Sequence, residues 1–279
     1  MFQVKKMTTK DFDFAVRLTD TMNWQLTEED FEFMLRLEPE GCSVLLHNSR
    51  RVGILTTISF DKTGWIGNVI VDEDCRKRGA GSLLVKHAMD YLANKKVETV
   101  GLYAYLNAVS FYTRLGFTYD SDFIVLQGRG FSSSKKANVR KANEEDHSKI
   151  FDRDSLCFGA SRKKLLEPII INTNNLCYVS IEDEEMLGYA MAKVYEGVAE
   201  LGPLVCRENC GNVATDLLKT ILTRLNDFDF SVCVPEKESL ILDFLKNSGL
   251  VEKFRVARMF FHPHALKKCV YMAESAERG

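Results

Sequence analysis

The first 128 residues alternate between apolar runs and amphipathic stretches, and this pattern predicts an ordered series of strands and helices. We assign strands where β-branched and apolar residues cluster between turn residues, and helices where apolar residues recur every three or four positions. The predicted order is strand 2–6, helix 9–21, a helix beginning at residue 27, strands 43–47, 52–59 and 64–71, helix 82–94, strand 97–103, helix 107–115 and strand 118–126. This order predicts an α/β domain with a mixed sheet, which the last strand closes.

The second half of the chain repeats the first in outline. Segments 4–11, 52–54 and 66–71 are echoed 135 positions later, and segment 111–117 is echoed 133 positions later. Four matches in one order and at nearly one spacing indicate two tandem domains of the same fold. We therefore predict domains at 1–128 and 139–279. A polar linker rich in small residues joins them at 129–138.

Composition and charge exclude several classes of protein. The chain has 279 residues, of which 46% are hydrophobic and 27% charged, and a formal net charge of -2. These values are typical of a globular protein and give no excess positive charge for nucleic acid or an anionic membrane. No run approaches the roughly 20 apolar residues that span a bilayer, and the start lacks the apolar core of a signal peptide. Eight scattered cysteines without zinc-like spacing indicate free thiols, so we expect a cytoplasmic protein without a metal site.

The clearest chemical signal is a basic, glycine-rich turn after the strand at 64–71. It reads Arg76-Lys77-Arg78-Gly79-Ala80-Gly81-Ser82 and opens an amphipathic helix. Helix starts present unpaired N–H groups and the positive end of the helix dipole, and glycines let an anion approach the backbone. Walker and dinucleotide-binding spacings are both absent. The turn therefore predicts a pyrophosphate cradle, with a solvated turn that merely caps a helix as the alternative.

Two motifs resemble those of the GNAT (GCN5-related N-acetyltransferase) superfamily. The Arg76-x-x-Gly79-x-Gly81 spacing after a valine-rich strand is similar to the coenzyme A signature R/Q-x-x-G-x-G/A. Segment 107–117 is similar to the family's N-x-x-A-x-x-F-Y-x-x-x-G-F helix and turn. Residues that further resemble a tandem subgroup with a diverged second acetyltransferase domain are Asn23, Trp24, Asp30, Pro39, Gly41 and 65–67. The resemblance implies two tandem GNAT-like domains, each a mixed, mostly antiparallel twisted sheet flanked by helices.

The same resemblance implies acetyl-CoA as co-substrate, with no metal. In the family the fourth and fifth strands splay apart around the pantetheine arm, which here assigns the backbone of Val69, Ile70 and Val71 to that arm. An amide near Ile70 or Val71 would polarise the thioester carbonyl. The turn at 76–82 would hold the pyrophosphate, and Asn107 would join the cofactor site. Tyr112 occupies the position of the general acid that protonates the departing thiolate, although it could also be a packed aromatic.

The general base is where the sequence departs from the family. Many relatives carry a glutamate on the fourth strand, but residues 64–71 include no carboxylate. An alkyl ammonium has a pKa of about 10.4, so its proton must be removed before attack. Asp72 is the nearest candidate in sequence. The alternatives are Glu28, Glu29, Asp30 and a water held by Asn68 or by backbone carbonyls.

The acceptor pocket is predicted by the family's layout and by the aromatic side chains near it. The residues that would wall the pocket are Trp24, Trp65, Tyr103 and Tyr105. Aromatics at strand positions are more often part of a core, which is the alternative. In the second repeat, Val213 and Thr215 replace the two motif glycines and Leu245 replaces Tyr112. We therefore predict that the second domain has lost its cofactor site.

The predicted function is transfer of an acetyl group from acetyl-CoA to a primary amine of a small molecule. The second domain would support the fold and wall the acceptor pocket, with Arg162 and Tyr189 as contributors by analogy. A non-catalytic acyl-CoA sensor and a protein lysine or N-terminal acetyltransferase are the alternatives. The sequence leaves the acceptor, the acyl-chain preference and the oligomeric state open.

Overall fold

The computed structural model describes residues 1–24, 26–130, 138–195, 197–263 and 268–279. The strands in these ranges are β1 (Phe2–Lys6), β2 (Ser43–His47), β3 (Arg50–Phe60), β4 (Thr63–Val71), β5 (Thr99–Tyr105), β6 (Thr118–Arg129), β7 (Arg140–Lys141), β8 (Leu176–Glu182), β9 (Glu185–Val194), β10 (Val198–Arg207), β11 (Asp229–Pro235), β12 (Val251–Phe261) and β13 (Cys269–Met272). The α-helices are α1 (Phe12–Asp20), α2 (Glu28–Leu37), α3 (Ala80–Asn94), α4 (Val109–Thr113), α5 (His147–Phe158), α6 (Lys163–Ile171), α7 (Gly211–Arg224) and α8 (Ser239–Asn247).

The element order confirms the predicted repeat. The series from β1 to β6 recurs from β7 to β12 with its helices in the same places, and β13 is an addition to the second copy. The predicted capping signal at Thr27 is also present, since its backbone N–H donates to the Asp30 carboxylate at 2.9 Å. Most of the predicted linker, residues 131–137, lies outside the described residues, so the domain boundaries stay a prediction.

All the described strands belong to one mixed sheet, which contains both repeats. The strand order is β1-β2-β3-β4-β5-β12-β6-β11-β10-β9-β8-β7, and β13 pairs separately with β10. Among the described strands, β4 with β5 and β10 with β11 are the parallel pairs, while the remaining neighbours are antiparallel. The parallel pair occupies the same place in each repeat.

The last strand of each repeat lies in the other repeat's half of the sheet. β12 pairs with β5 from Val256↔Tyr105 to Phe261↔Val100, and β6 pairs with β11 from Asp229↔Arg129 to Pro235↔Phe123. The expectation that the strand at 118–126 closes the sheet of its own repeat is therefore wrong. Because the repeats share one strand pattern, β6 and β12 suit either open edge, and the crossed pairing joins both halves without a free edge at the centre.

Helices cover both faces of the sheet. α3 packs its buried residues on the strands of the first repeat, and α7 packs on those of the second. Between the repeats lies a shared core, to which α1, α2, α5 and α6 all contribute. This shared core and the crossed strands hold the two repeats together. No helix among the described residues is long and apolar enough to cross a membrane.

Candidate functional site

The parallel strands β4 and β5 separate partway along their length. They pair from Thr63↔Thr99 to Ile66↔Leu102, and no pairing continues beyond Ile66. At the same place β4 bulges against β3, where the register shifts between Ile54 and Thr56. Asn68 carries this bulge with a positive φ of 52°. The backbone of 67–71 therefore leaves the β4–β5 ladder and borders an opening in the sheet.

A large cavity begins at this opening and extends between the two repeats. Its volume is about 1520 Å³, which is large enough for a cofactor arm and an acceptor together. The residues predicted for the site that line it are Trp24, Val69, Ile70, Val71, Arg76, Tyr103, Tyr105, Asn107 and Tyr112. The structure thus brings most of the predicted cofactor and acceptor residues around one space.

The glycine turn forms an open helix start next to this cavity. Gly79 precedes α3 with a φ of +81°, and a Cβ placed on it would meet nothing within 4 Å. A Cβ on Gly81 would lie 3.4 Å from Phe111. The first bond within the helix runs from the N–H of Leu83 to the carbonyl of Gly79, at 3.0 Å. The preceding N–H groups of α3 are thus available to an anion, and the glycines leave space for one.

The basic residues of the turn differ in their surroundings. Arg76 lines the cavity, and its Nε donates to the carbonyl oxygen of Val71 at 2.9 Å, which ties the turn to the end of β4. Lys77 and Arg78 are exposed and do not line the cavity. The Arg78 guanidinium lies over the Phe2 ring, 5.8 Å from its centroid. Residues 77–82 directly follow Arg76 in the chain but do not line the cavity. Their contact with a pyrophosphate stays a prediction.

Tyr112 lies on α4 and lines the cavity. Its side chain is buried, with edge-to-face contacts to Phe111 and Phe117 at centroid distances of 4.9 and 5.8 Å. Burial raises the pKa of its phenol above the ordinary value, because the phenolate would lose hydration. The phenol therefore keeps its proton at neutral pH, as a general acid requires.

Asp72 is not in the cavity, so the prediction that it acts as the base is wrong. Its carboxylate forms an ion pair with Arg50 and accepts a hydrogen bond from the N–H of Asp74 at 3.3 Å. Its own N–H donates to the carbonyl of Val52, at 2.8 Å. These contacts hold it just after the end of β4, outside the residues that line the cavity. The other carboxylates considered, Glu28, Glu29 and Asp30, do line the cavity.

Three of the four predicted wall aromatics line the cavity. Trp24 donates from Nε1 to the Tyr105 hydroxyl at 2.6 Å, and Tyr103 lies beside them. Trp65 does not line it, so that prediction is wrong. Trp65 is only 2% exposed and packs in the core between the repeats, where its ring lies 6.1 Å from that of Phe158 on α5.

Arg162 and Tyr189 also lie outside the cavity, contrary to the expectation for the second domain. Both are fully buried, and both donate to the Asp154 carboxylate. Arg162 further donates from Nη1 to the carbonyl oxygen of Gly279 at 2.5 Å. Arg162 therefore helps to hold segment 273–279 in place, and neither residue forms a wall of the pocket.

The second repeat contributes to the cavity through residues that the sequence analysis missed. Glu200 on β10 lines it, as do the residues Glu274, Ser275, Ala276 and Glu277 of segment 273–279. The carbonyl oxygen of Glu277 lies directly against Gly67, in the space that a Cβ there would need. A glycine inside a strand often marks the close approach of another backbone, so Gly67 was the one available signal.

The second repeat has its own separation between parallel strands, and the chain fills it. β10 and β11 pair from Val198↔Asp229 to Leu201↔Val232 and then part. Beyond that point β13 pairs with β10, from Leu204↔Met272 to Arg207↔Cys269. The N–H of Ala273 then donates to the carbonyl of Cys233 on β11, at 3.1 Å. The space that stays open in the first repeat is thus occupied by backbone in the second.

Among the described residues, no group of three or more His, Cys, Asp or Glu side chains is arranged to hold a metal ion. All eight cysteines are free thiols, six of them buried and two, Cys210 and Cys269, half-buried.

Comparison with protein families identifies the class. Residues 7–117 match the model described as "Acetyltransferase (GNAT) family", and residues 150–271 match "Acetyltransferase (GNAT) domain". The chain therefore belongs to the GNAT superfamily and contains two such domains in tandem. Membership indicates an enzyme of the N-acetyltransferase type, in a family that generally uses acetyl-CoA.

Known structures and relatives agree with this class. A structure from Pyrococcus horikoshii, described as a candidate acetyltransferase, has a TM-score of 0.84 and 20% identity, covering 100% of this chain and 96% of that one. A tandem GNAT protein from the clavulanic acid biosynthesis pathway has a TM-score of 0.63 and 12% identity, covering 95% and 100%. N-alpha-acetyltransferase 30 of Dictyostelium discoideum is 30% identical over 95 residues, 32% of this chain and about half (51%) of that relative. The two structural likenesses show the shared fold.

Proposed function

We propose that this chain is an acetyl-CoA-dependent N-acetyltransferase that acetylates a primary amine of a small molecule by direct attack. One observation carries the proposal: the opening between β4 and β5 lies beside an unobstructed glycine helix start, and Tyr112 lines the same cavity. In the first repeat, the opening would bind the cofactor arm, the adjoining helix start would bind an anion, and Tyr112 would donate a proton.

Residues of the first repeat would bind acetyl-CoA and protonate the departing thiolate. Acetyl-CoA supplies an acetyl group activated as a thioester. The backbone of Val69, Ile70 and Val71 would bind its arm, because this part of β4 has no pairing with β5. The start of α3 would hold the pyrophosphate, with Arg76 adding positive charge at the cavity wall. Tyr112 would donate its proton to the departing thiolate, and its burial keeps that proton in place until then.

A small acceptor is favoured by the walls that both repeats contribute to the cavity. Trp24, Tyr103 and Tyr105 line it from the first repeat, and segment 273–279 lines it from the second. Walls from both repeats leave less room for an extended polypeptide than for a small amine. A second candidate, N-terminal acetylation of proteins, is favoured by the relative from Dictyostelium discoideum, whose match spans half of its length.

The test is thiol release from acetyl-CoA with small amines, amino acids, polyamines, amino sugars and short peptides as acceptors. The variant Gly79→Val/Gly81→Thr imitates Val213 and Thr215 of the second repeat and should abolish acetyl-CoA binding. Gly81→Thr alone tests the same point without strain at the positive φ of Gly79, since its Cβ has ordinary contacts. Val213→Ala/Thr215→Ser, at the equivalent positions of α7, is the matched control and should leave turnover unchanged.

Each outcome distinguishes the candidates. Turnover of a small amine that is lost in Gly81→Thr supports the proposal and identifies the acceptor. Turnover of peptides alone would instead support the protein acetyltransferase. Binding of acetyl-CoA without any product would favour a sensor, and absence of binding would refute the assigned cofactor site.

A further inference from the structure

Segment 273–279 connects the closed cleft of the second repeat to the open cleft of the first. It begins where β13 ends between β10 and β11, and it reaches β4 at Gly67. Its path is fixed by internal hydrogen bonds: the N–H of Arg278 donates to the Ser275 hydroxyl at 3.1 Å, and that of Glu274 donates to the carbonyl of Gly279 at 3.0 Å. A defined backbone therefore delivers the side chains of this segment to the cavity.

Among the described residues, the charges around this segment leave the Glu277 carboxyl group without an ion-pair partner. Lys193 on β9 forms ion pairs with Glu200 and Glu274, and Arg278 pairs with the same two carboxylates at 3.1 and 2.8 Å. Two cations thus balance two anions. Glu277, which also lines the cavity, makes no ion pair with any described residue. Its carboxyl group is therefore the side-chain carboxyl group of segment 273–279 that neither cation pairs with.

We infer that Glu277 is the general base of the acetyl transfer and that its carboxylate receives the ammonium group of the acceptor. The inference rests on the proposed function. It supplies the base that β4 lacks, from a segment whose backbone touches β4 at Gly67, one residue before the bulge at Asn68. The acceptor is accordingly an amine that arrives as a cation, which replaces the missing counter-ion.

The proton balance is complete with the groups on this wall and Tyr112. Glu277 takes one proton from the ammonium, which leaves a neutral amine. The amine nitrogen forms the new C–N bond to the acetyl carbon, the C–S bond breaks, and Tyr112 protonates the thiolate. The second nitrogen proton is lost as the amide forms and replaces the proton given up by Tyr112. The net products are the amide, free CoA and one proton released to solvent from Glu277.

The surroundings give this carboxyl group a suitable basicity. Burial and the nearby Glu200 carboxylate raise the pKa of Glu277 to about 7, although Arg278 and Lys193 act in the opposite direction. A carboxyl group whose pKa is raised toward neutrality can both accept and release a proton. The ionisable groups that face it from the packed elements are Glu200 on β10, Lys193 on β9, Tyr105 on β5, Cys233 on β11, Glu274 and Arg278.

The neighbouring groups with shifted pKa values have them moved away from 7. Burial raises the pKa of Cys233 and of Tyr105, so neither ionises near pH 7. Burial acts to raise the pKa of Glu274 as well, but Arg278 and Lys193 outweigh it and lower that pKa to about 2. Glu277 differs from these three neighbours in that its pKa is raised toward 7.

The decisive variant is Glu277→Gln, which keeps the shape of the side chain and removes its basicity. Two primary amines that differ in basicity separate proton removal from binding: ethylamine, which is protonated at pH 7.5, and the larger 2,2,2-trifluoroethylamine, which is already neutral. We expect kcat/KM for ethylamine to fall about 10²- to 10³-fold. The value for trifluoroethylamine should fall less than about fivefold, with acetyl-CoA affinity unchanged. Glu277→Asp should recover part of the ethylamine rate, and the exposed Glu182→Gln is the control.

A second measurement needs no acceptor. In protein labelled with ¹³C at the glutamate carboxyl, the resonance that disappears in Glu277→Gln should titrate near pH 7. A titration near the ordinary value of 4.5 would overturn the inference. Retention of the ethylamine rate in Glu277→Gln would overturn it too. If the wild-type protein makes no acetylated product from any amine, the proposed function is refuted. This outcome is distinct from those that test the role of Glu277.

Discussion

Gly67 of β4 and Glu277 of segment 273–279 are in direct backbone contact, with the Glu277 carbonyl oxygen in the space that a Cβ on residue 67 would occupy. The two residues come from different repeats and are far apart in the chain. Their contact fixes how segment 273–279 sits on the strand that borders the opening. Any side chain at residue 67 must therefore move the segment or the strand.

The first prediction concerns this contact. Gly67→Ala should displace segment 273–279, destabilise the protein by about 1–3 kcal/mol as overpacking does, and lower kcat/KM about tenfold or more. Urea unfolding and steady-state kinetics measure the two effects. If the loss of activity comes from a misplaced Glu277, Gly67→Ala should cost little further activity in a Glu277→Gln background. Independent, multiplicative losses would show that Gly67 acts by another route.

The second prediction concerns Tyr112. Tyr112→Phe keeps the buried ring and its contacts with Phe111 and Phe117, so the fold and the affinity for acetyl-CoA should be unchanged. We expect kcat to fall about 10²-fold or more, because the thiolate loses its proton donor. The exposed Tyr119→Phe serves as the matched control. A wild-type kcat in Tyr112→Phe would remove it from the mechanism.

The third prediction concerns stability in acid. The buried Glu38 carboxylate, just after α2, accepts hydrogen bonds from the Ser59 hydroxyl at 2.8 Å and from Lys164 of the second repeat at 2.5 Å. Burial acts to raise its pKa, but hydrogen bonds from Lys164, Tyr91 and Ser59 outweigh it and lower the pKa to about 2.

A lowered pKa means that the ionised form stabilises the fold. The contribution of Glu38 is present above its unfolded pKa of 4.5 and is lost as the pH falls toward 2. It amounts to about 3 kcal/mol. Urea unfolding at several pH values should show that Glu38→Gln is less stable than wild type at pH 6, with a gap that narrows below pH 4. The exposed Glu40→Gln should show no such change, and a gap independent of pH would contradict the assignment.

The fourth prediction concerns the buried pair of Arg162 and Asp154. Both side chains are completely buried, and they are joined by hydrogen bonds of 2.6 and 3.0 Å. Arg162→Met leaves the Asp154 charge without its partner and should cost about 3–5 kcal/mol. Arg162→Met/Asp154→Leu should recover much of that stability. Neither variant should recover full activity, because Gly279 loses its hydrogen bond to Arg162. Full activity in the double variant would show that this bond does not position segment 273–279.

The features that could be predicted from the sequence were those that depend on local patterns. The hairpin of β2 and β3, the cap at Thr27 and the helix start at Gly79 depend on neighbouring residues, so their signals lie within short windows. The strand exchange could not be predicted, because β6 and β12 share one pattern and either would satisfy β5. Trp65 was misplaced because aromatic character alone does not tell which side of a strand faces a second domain.

The choice of base failed for a related reason. Asp72 was favoured because it is close in sequence to the cofactor strand, but its position is set by Arg50. Glu277 lies in a segment without a motif, and only the folding of the second repeat onto the first brings it to β4. Proximity that arises from the packing of distant segments leaves almost no trace in a single sequence, apart from the glycine that makes room for it.

The strand exchange between the repeats has a consequence for the newly made chain. β5 ends at Tyr105, but its permanent neighbour β12 begins only at Val251. At roughly 5–20 residues per second, a ribosome needs about 7–30 s to cover that interval. During this time β5 either exposes its edge, which can template aggregation, or borrows β6 as a temporary neighbour. The sheet of the first half therefore reaches its final strand order only after β12 has been translated.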